Sequence, residues 1–274
     1  MLKTSLPLLL VATLAVSCAS SKTKEKEANV ASINFTYGTQ FLMAKDYTQA
    51  LIYLQKAAEL DPTNSDVHVN LGMAYYFKGD KTLAKQHITR ALELNPKNTD
   101  ARSNLASFYF EEGDLRTAEK IYRECLTDLT YEKQARVYFN LALIELRKGS
   151  TQNAMGYLNL SVKEDESYCA AWNLLGTLAY QAKNLEKATA YFKNSGMGTC
   201  ADTATPLLWQ AQLMMDKGEY LNARLKLDEL TGRFPNSEEA RTAKEKLSQL
   251  SLLERRMTDQ SLVTPARDTK SPTF

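Results

Sequence analysis

Small and apolar residues recur along the chain with a period of 34 positions. If the residues are numbered from Ser65, positions 8, 20 and 27 are Gly72, Ala84 and Ala91, and position 32 is Pro96. The unit that begins 34 residues earlier repeats the small residues, as Gly38, Ala50 and Ala57. Small residues at this spacing allow two helices to approach closely, and proline at position 32 ends the second helix. Each unit is therefore predicted to be a pair of helices, A and B, that stacks on the next pair.

The same period predicts six helix pairs, with short insertions after the third and fifth. The predicted repeats cover residues 31–64, 65–98, 99–134, 135–168, 169–203 and 204–236. Between helix A and helix B, position 15 is Gly or Lys in every repeat. An Asp or Asn follows it in four repeats and is predicted to cap helix B, at Asp46, Asp80, Asp114 and Asn184.

A last helix is predicted over residues 237–256, where apolar residues recur at helical spacing. Its apolar stripe consists of Ala240, Ala243, Leu247, Leu250 and Leu253. Such a helix would cover the open end of the stack. The tail, residues 257–274, is polar and contains Pro265 and Pro272, which predicts disorder.

Residues 1–17 have the pattern of a signal peptide. Lys3 supplies the positive charge, and the apolar stretch 6–16 is too short to span a membrane. The letters LAVSC that follow resemble a bacterial lipobox, which implies cleavage before Cys18 and attachment of acyl chains to it. The alternative is an ordinary secretory peptide cleaved nearby. Residues 18–30 are polar and mixed in charge, which predicts a flexible tether.

The lipobox resemblance also implies a location. Several acyl chains would hold the protein on a bilayer, because one chain alone binds only marginally. Ala19 and Ser20, and no Asp, follow Cys18. By analogy with lipoprotein sorting in Gram-negative bacteria, this implies a lipid anchor in the outer membrane, on its periplasmic face.

The repeat pattern resembles the tetratricopeptide repeat family. This resemblance implies an all-α fold, a right-handed superhelix of six helix pairs plus the C-terminal capping helix, with a concave groove lined by positions 2, 5, 9, 12 and 13 of each helix A. In the first four repeats these positions carry many large apolar side chains, which is typical of a binding surface. The predicted groove residues are Phe35, Thr39, Leu42, Val69, Met73, Tyr76, Phe110, Phe139 and Leu143. The alternative for each is packing in the core between neighbouring A helices.

Composition and motifs argue against several functions. The chain has 34 basic and 32 acidic residues, a net charge of +2, which gives no case for nucleic-acid binding. It lacks the motifs of phosphate-binding loops, zinc proteases and serine hydrolases, so neither an enzyme nor a cofactor is expected. His68 and His87 lie 19 residues apart in different helices and are predicted to be ordinary helical residues, not a metal site.

Three cysteines remain after Cys18, and an oxidising compartment would allow one disulfide among them. Cys169 is position 1 and Cys200 position 32 of the fifth repeat, so both lie at the end where helix A begins and helix B finishes. Cys125 is two repeats away, roughly 20 Å at about 10 Å per repeat, which is too far for a bridge. We therefore predict a disulfide between Cys169 and Cys200. The alternative is three reduced, buried thiols.

Two segments carry a narrower resemblance. They resemble the third and last repeats of the PilF/PilW-type type IV pilus biogenesis lipoproteins, the pilotins. Their sequences are NLASFYFEEGDLRTAEKIYRECL and GEYLNARLKLDELTGRFPNSEEA. The resemblance implies a scaffold whose groove holds an amphipathic helical segment of a secretin subunit and promotes its outer-membrane localisation and multimer assembly. It implies no small-molecule substrate. The alternatives are a periplasmic adaptor for peptidoglycan hydrolases and a lipoprotein of the outer-membrane assembly machine.

Overall fold

The computed structural model describes the backbone of residues 8–263 and the side chains of residues 25–256. In these ranges it contains thirteen α-helices and one short 3-10 helix, and no strand. They are α1 (Leu8–Met43), α2 (Tyr47–Leu60), α3 (Ser65–Phe77), α4 (Lys81–Leu94), α5 (Thr99–Glu112), α6 (Leu115–Cys125), α7 (Gln134–Arg147), α8 (Thr151–Glu164), α9 (Cys169–Gln181), α10 (Leu185–Asn194), η1 (Gly198–Asp202), α11 (Thr205–Asp216), α12 (Tyr220–Arg233) and α13 (Glu238–Val263).

The helices form two compact units, unit 1 over residues 1–132 and unit 2 over residues 133–274. Unit 1 contains the pairs α1–α2, α3–α4 and α5–α6, and unit 2 contains α7–α8, α9–α10 and α11–α12. In both units each pair packs on the following one through its second helix. The prediction of an all-α fold of stacked helix pairs is therefore confirmed.

Glycine at position 8 is where helix A meets helix B most closely. A Cβ atom built on Gly38 would lie 2.6 Å from Leu54, and one built on Gly72 would lie 2.8 Å from Ile88. Both neighbours are completely buried. Since real Cβ contacts are not this short, only glycine fits these two crossings.

The turn after helix A has the same backbone in all six repeats. Position 15 takes a positive φ at the four glycines Gly79, Gly113, Gly149 and Gly218, and also at Lys45 and Lys183. The left-handed conformation ends helix A and costs glycine nothing. The predicted caps follow: the side chains of Asp46, Asp80, Asp114 and Asn184 each accept a hydrogen bond from the backbone N–H three residues later.

At both ends of the described range, 8–263, the chain is more helical than the sequence predicted. Residues 18–30, expected to be a flexible tether, belong to α1. Their Lys, Glu and Ala residues favour a helix, and helix A of the first repeat continues from them without a break. At the other end α13 packs on α12 and extends to Val263. Residues 1–7 and 264–274, parts of the predicted signal peptide and tail, lie outside the described residues.

Among the described residues, none of the helices combines the length and the apolar character that a membrane span requires. Cleavage before Cys18 and acylation of this residue remain predictions.

Candidate functional site

The A helices of unit 1 lie side by side, because α3 contacts both α1 and α5. Phe35 and Leu42 of α1 are partly exposed and pack with one side against the core that contains Leu54 and Leu71. Met73 and Tyr76 of α3 and Phe110 of α5 are also partly exposed. We call the surface that these A-helix side chains form, together with Thr39, the A-helix surface of unit 1.

Val69 does not belong to this surface. Its side chain is only 7% exposed and packs in a core cluster with Ile88 and Phe108, which lie on α4 and α5. The valine is short enough for the surrounding helices to enclose it, whereas the longer side chains of Met73 and Tyr76 on the same helix reach the surface. The sequence prediction for Val69 as a groove residue is therefore wrong.

Thr39 is held by hydrogen bonds at the junction of α1 and α3. Its hydroxyl donates to the backbone carbonyl of Phe35 at 2.8 Å and accepts from the side-chain amide of Asn70, also at 2.8 Å. The hydrogen bond between Asn70 and Thr39 therefore joins the two A helices directly.

A hydrogen-bonded pair lies at the edge of the A-helix surface. The hydroxyl of Tyr76 donates to the carboxylate of Glu111, which also accepts from the Lys81 ammonium at 2.6 Å. The hydrogen bond to Glu111 raises the pKa of the Tyr76 hydroxyl above its usual value. The ring of Tyr76 meets Phe77 and Phe108 edge-on. The polar end of Tyr76 is thus satisfied within the protein, and its ring serves as an apolar contact.

Three further side chains extend the apolar area beyond the predicted set. Met43 is 79% exposed and Phe77 is 48% exposed, and both occupy position 13 of their A helices. The ring of Tyr47 stacks on that of Phe77 with 4.9 Å between the centroids. Position 13 is one of the groove-facing positions, so the sequence itself predicts that Met43 and Phe77 face the groove. Tyr47 lies in helix B, to which the rule for A helices does not apply.

Unit 2 has a smaller counterpart of the A-helix surface of unit 1. Phe139 and Leu143 of α7 are partly exposed, and Phe139 lies against Tyr168 with 5.5 Å between the ring centroids. Tyr180 donates a hydrogen bond to Asp216 at 2.7 Å, which raises the pKa of Tyr180. This pair occupies the same repeat positions as Tyr76 and Glu111 in unit 1. The groove-facing positions of the A helices carry more polar side chains in unit 2 than in unit 1.

Two cysteines are joined in unit 2. A disulfide links Cys169, the first residue of α9, to Cys200 in η1, with 5.4 Å between the Cα atoms. This is the pairing that the repeat positions predicted. Cys125 is outside the bridge and buried at the end of α6.

Over residues 25–256, no three His, Cys, Asp or Glu side chains converge in a way that could hold a metal ion. What the site offers is therefore an apolar surface with hydrogen-bonded edges, which is suited to contact with another polypeptide.

Three family models for the tetratricopeptide repeat match the chain, over residues 65–98, 87–120 and 135–168. The chain contains tetratricopeptide repeats (TPRs). The first and third matches have the same bounds as the second and fourth predicted repeats. No curated protein sequence matches the chain.

Solved TPR structures share the fold. PilF of Pseudomonas aeruginosa is 22% identical, with a TM-score of 0.64 over 81% of this chain and 99% of that one. PilW, a widely conserved type IV pilus biogenesis factor, is 22% identical, with a TM-score of 0.64 over 78% of this chain and 97% of that one. Yeast Tom70 is 18% identical, with a TM-score of 0.67 over 84% of this chain and 50% of that one. At these identities the comparisons establish the fold.

Proposed function

We propose that this TPR protein is an outer-membrane lipoprotein that binds a secretin subunit and promotes its localisation and multimer assembly in type IV pilus biogenesis. The observation that carries the proposal is the set of partly exposed apolar side chains on the A-helix surface of unit 1. The likeness in fold to PilF and PilW, over nearly the whole length of both, supports the same system.

The chemistry of the surface indicates what it binds. Methionine, leucine and aromatic side chains adapt to the apolar face of an amphipathic helix. Each side chain that a partner buries completely contributes about 1.5–3 kcal/mol before the cost of ordering the complex. Tyr76 and Thr39 already have hydrogen-bond partners within the protein, so a partner helix does not need to satisfy them.

Attachment at the membrane would add to this affinity. Acyl chains on Cys18 would keep the A-helix surface close to the bilayer in which the secretin assembles, and so raise the effective concentration of the two proteins for each other. Covering an apolar segment of the secretin subunit would also limit its aggregation before the multimer forms.

Met73→Glu tests the proposal. Met73 is partly exposed and makes no polar contact, so the variant is expected to fold, while a bound partner would have to bury the new carboxylate without a counter-charge. We expect at least about tenfold weaker binding of the purified secretin subunit, equivalent to about 1.4 kcal/mol, and fewer secretin multimers in cells.

The matched control is Met197→Glu, which places the same charge on an exposed methionine outside the A-helix surface. It should bind and assemble secretin as the wild type does. Wild-type binding by a folded Met73→Glu protein would reject the A-helix surface as the site. If affinity capture recovers peptidoglycan hydrolases and no secretin, the partner is the one that the adaptor hypothesis names.

A further inference from the structure

The only two histidines of the 274-residue chain touch each other in unit 1. His68 lies on α3 and His87 on α4, and their Nδ1 atoms are 3.1 Å apart. The ring planes differ by 23° and the ring centroids are 5.3 Å apart, so the rings meet edge to edge with the two nitrogens facing. The Nδ1 atoms of two imidazoles on different helices therefore face each other at close range.

Neighbouring groups hold both rings in this orientation. The Nε2 of His68 is 3.4 Å from the carbonyl oxygen of Pro62, which can only accept, so Nε2 carries the hydrogen and Nδ1 keeps its lone pair. The ring of Tyr75 stacks on that of His87, 5.3 Å between centroids and 7° from parallel. The Tyr75 hydroxyl in turn accepts a hydrogen bond from Gln55 at 2.9 Å.

This is the environment in which proteins place metal-binding histidines. A ligating imidazole commonly donates its second N–H to a backbone carbonyl, as His68 does, and this contact fixes the tautomer and the ring orientation.

We propose that His68 and His87 bind one divalent transition-metal ion of the Zn²⁺ or Ni²⁺ class through their Nδ1 atoms. Bonds of 2.0–2.1 Å place two ligand nitrogens about 3.3–3.4 Å apart at a tetrahedral angle and about 2.9 Å apart at a right angle. The observed 3.1 Å lies between these values. Water completes the coordination, since no third protein ligand is present in the part of the chain described.

Binding requires one proton rearrangement. In the metal-free pair, the Nδ1–H of His87 donates to Nδ1 of His68. On binding, His87 releases this proton to solvent and takes one at Nε2, so both Nδ1 lone pairs reach the ion and the side chains keep zero net charge. The ion would then link helix A to helix B of the second repeat, the repeat that carries Met73 and Tyr76.

Calorimetric titration of the full-length chain, without a polyhistidine tag, tests the proposal with Ni²⁺ and Zn²⁺. We expect one ion per chain, tighter binding of Ni²⁺ than of Co²⁺, and no binding of Mg²⁺. His68→Gln and His87→Gln should each abolish binding while all other donors of the protein remain. Tyr75→Phe keeps the stacked ring and should bind as the wild type does.

A second measurement does not depend on the variants being folded. The wild type has two histidines, and paramagnetic Co²⁺ bound at the pair should broaden the ring resonances of both before any other side-chain resonance. Absence of metal binding would overturn the proposal. Binding that survives in folded His68→Gln and His87→Gln proteins, or Co²⁺ broadening that spares both rings, would overturn it as well.

Discussion

Position 8 sets the distance between helix A and helix B in three of the repeats. In the fifth repeat a Cβ atom on Gly176 would lie 2.6–2.7 Å from ring carbons of Phe192, a completely buried side chain. Gly156 of α8 is helical as well, but a Cβ atom there would meet nothing within 4 Å. The same substitution therefore has opposite consequences at the two positions.

Gly176→Ala is expected to destabilise unit 2 by about 1–3 kcal/mol, because the added methyl forces Phe192 out of its place in the core. Gly156→Ala is the matched control and should stabilise the same unit by about 0.5–1 kcal/mol, because alanine favours a helix and glycine does not. Urea denaturation followed by circular dichroism measures both. A Gly176→Ala protein as stable as the wild type would contradict the close contact.

At the residue scale, the repeat register predicted which positions carry small residues but not how deeply each groove residue lies. Val69 and Phe35 both occupy position 5, yet Val69 is enclosed and Phe35 is partly exposed. The difference depends on side-chain length and on the neighbours that enclose Val69, which position alone does not encode. The contact of His68 with His87 depends in the same way on how α3 packs against α4, so their 19-residue separation gave no sign of it.

At the scale of elements, the disulfide joins the start of α9 to η1 and closes a loop with a sequence separation of 31. Repeat positions were sufficient to predict this pairing, because positions 1 and 32 of one helix pair must lie close together. The bridge holds the inserted segment between α10 and α11 against the pair that precedes it. Its presence fits the oxidising periplasm of the proposed function.

The disulfide is expected to stabilise unit 2 by about 3–4 kcal/mol in the chain-entropy model. Reduction with dithiothreitol should lower the urea midpoint of the wild-type protein by a corresponding amount. The double variant Cys169→Ala/Cys200→Ala retains Cys125 and should have the lower midpoint with or without reductant. An equal midpoint for reduced and oxidised wild-type protein would show that the bridge does not form or does not constrain the chain.

The continuous helix α1 shows where prediction from composition fails. The polar, mixed-charge residues 18–30 were assigned to a flexible tether because they cannot bury apolar surface. The same residues favour a helix once a stable helix follows them, since extending a helix is far easier than starting one. Composition alone does not distinguish an isolated polar segment from one that continues a packed helix.

At the scale of the whole molecule, the proposed function combines a lipid anchor with a binding surface, and both involve α1. Cys18 would carry the acyl chains, and the A-helix surface begins at Phe35 of the same helix. The A-helix surface can bind its partner in solution, whereas the acyl chains determine where in the cell binding takes place. The two contributions are therefore separable by experiment.

Cys18→Ala separates them. The variant lacks the thiol for acylation, so it should incorporate no labelled palmitate and should move from the membrane to the soluble periplasmic fraction. Purified, it should bind the secretin subunit as the wild type does, because the A-helix surface is unchanged. In cells it should yield fewer secretin multimers, because the high local concentration at the membrane is lost.

A variant that remains in the membrane fraction would refute the lipid anchor and support an ordinary secretory peptide. A soluble variant that still assembles wild-type amounts of multimer would refute the contribution of tethering, while leaving the A-helix surface to be judged by Met73→Glu.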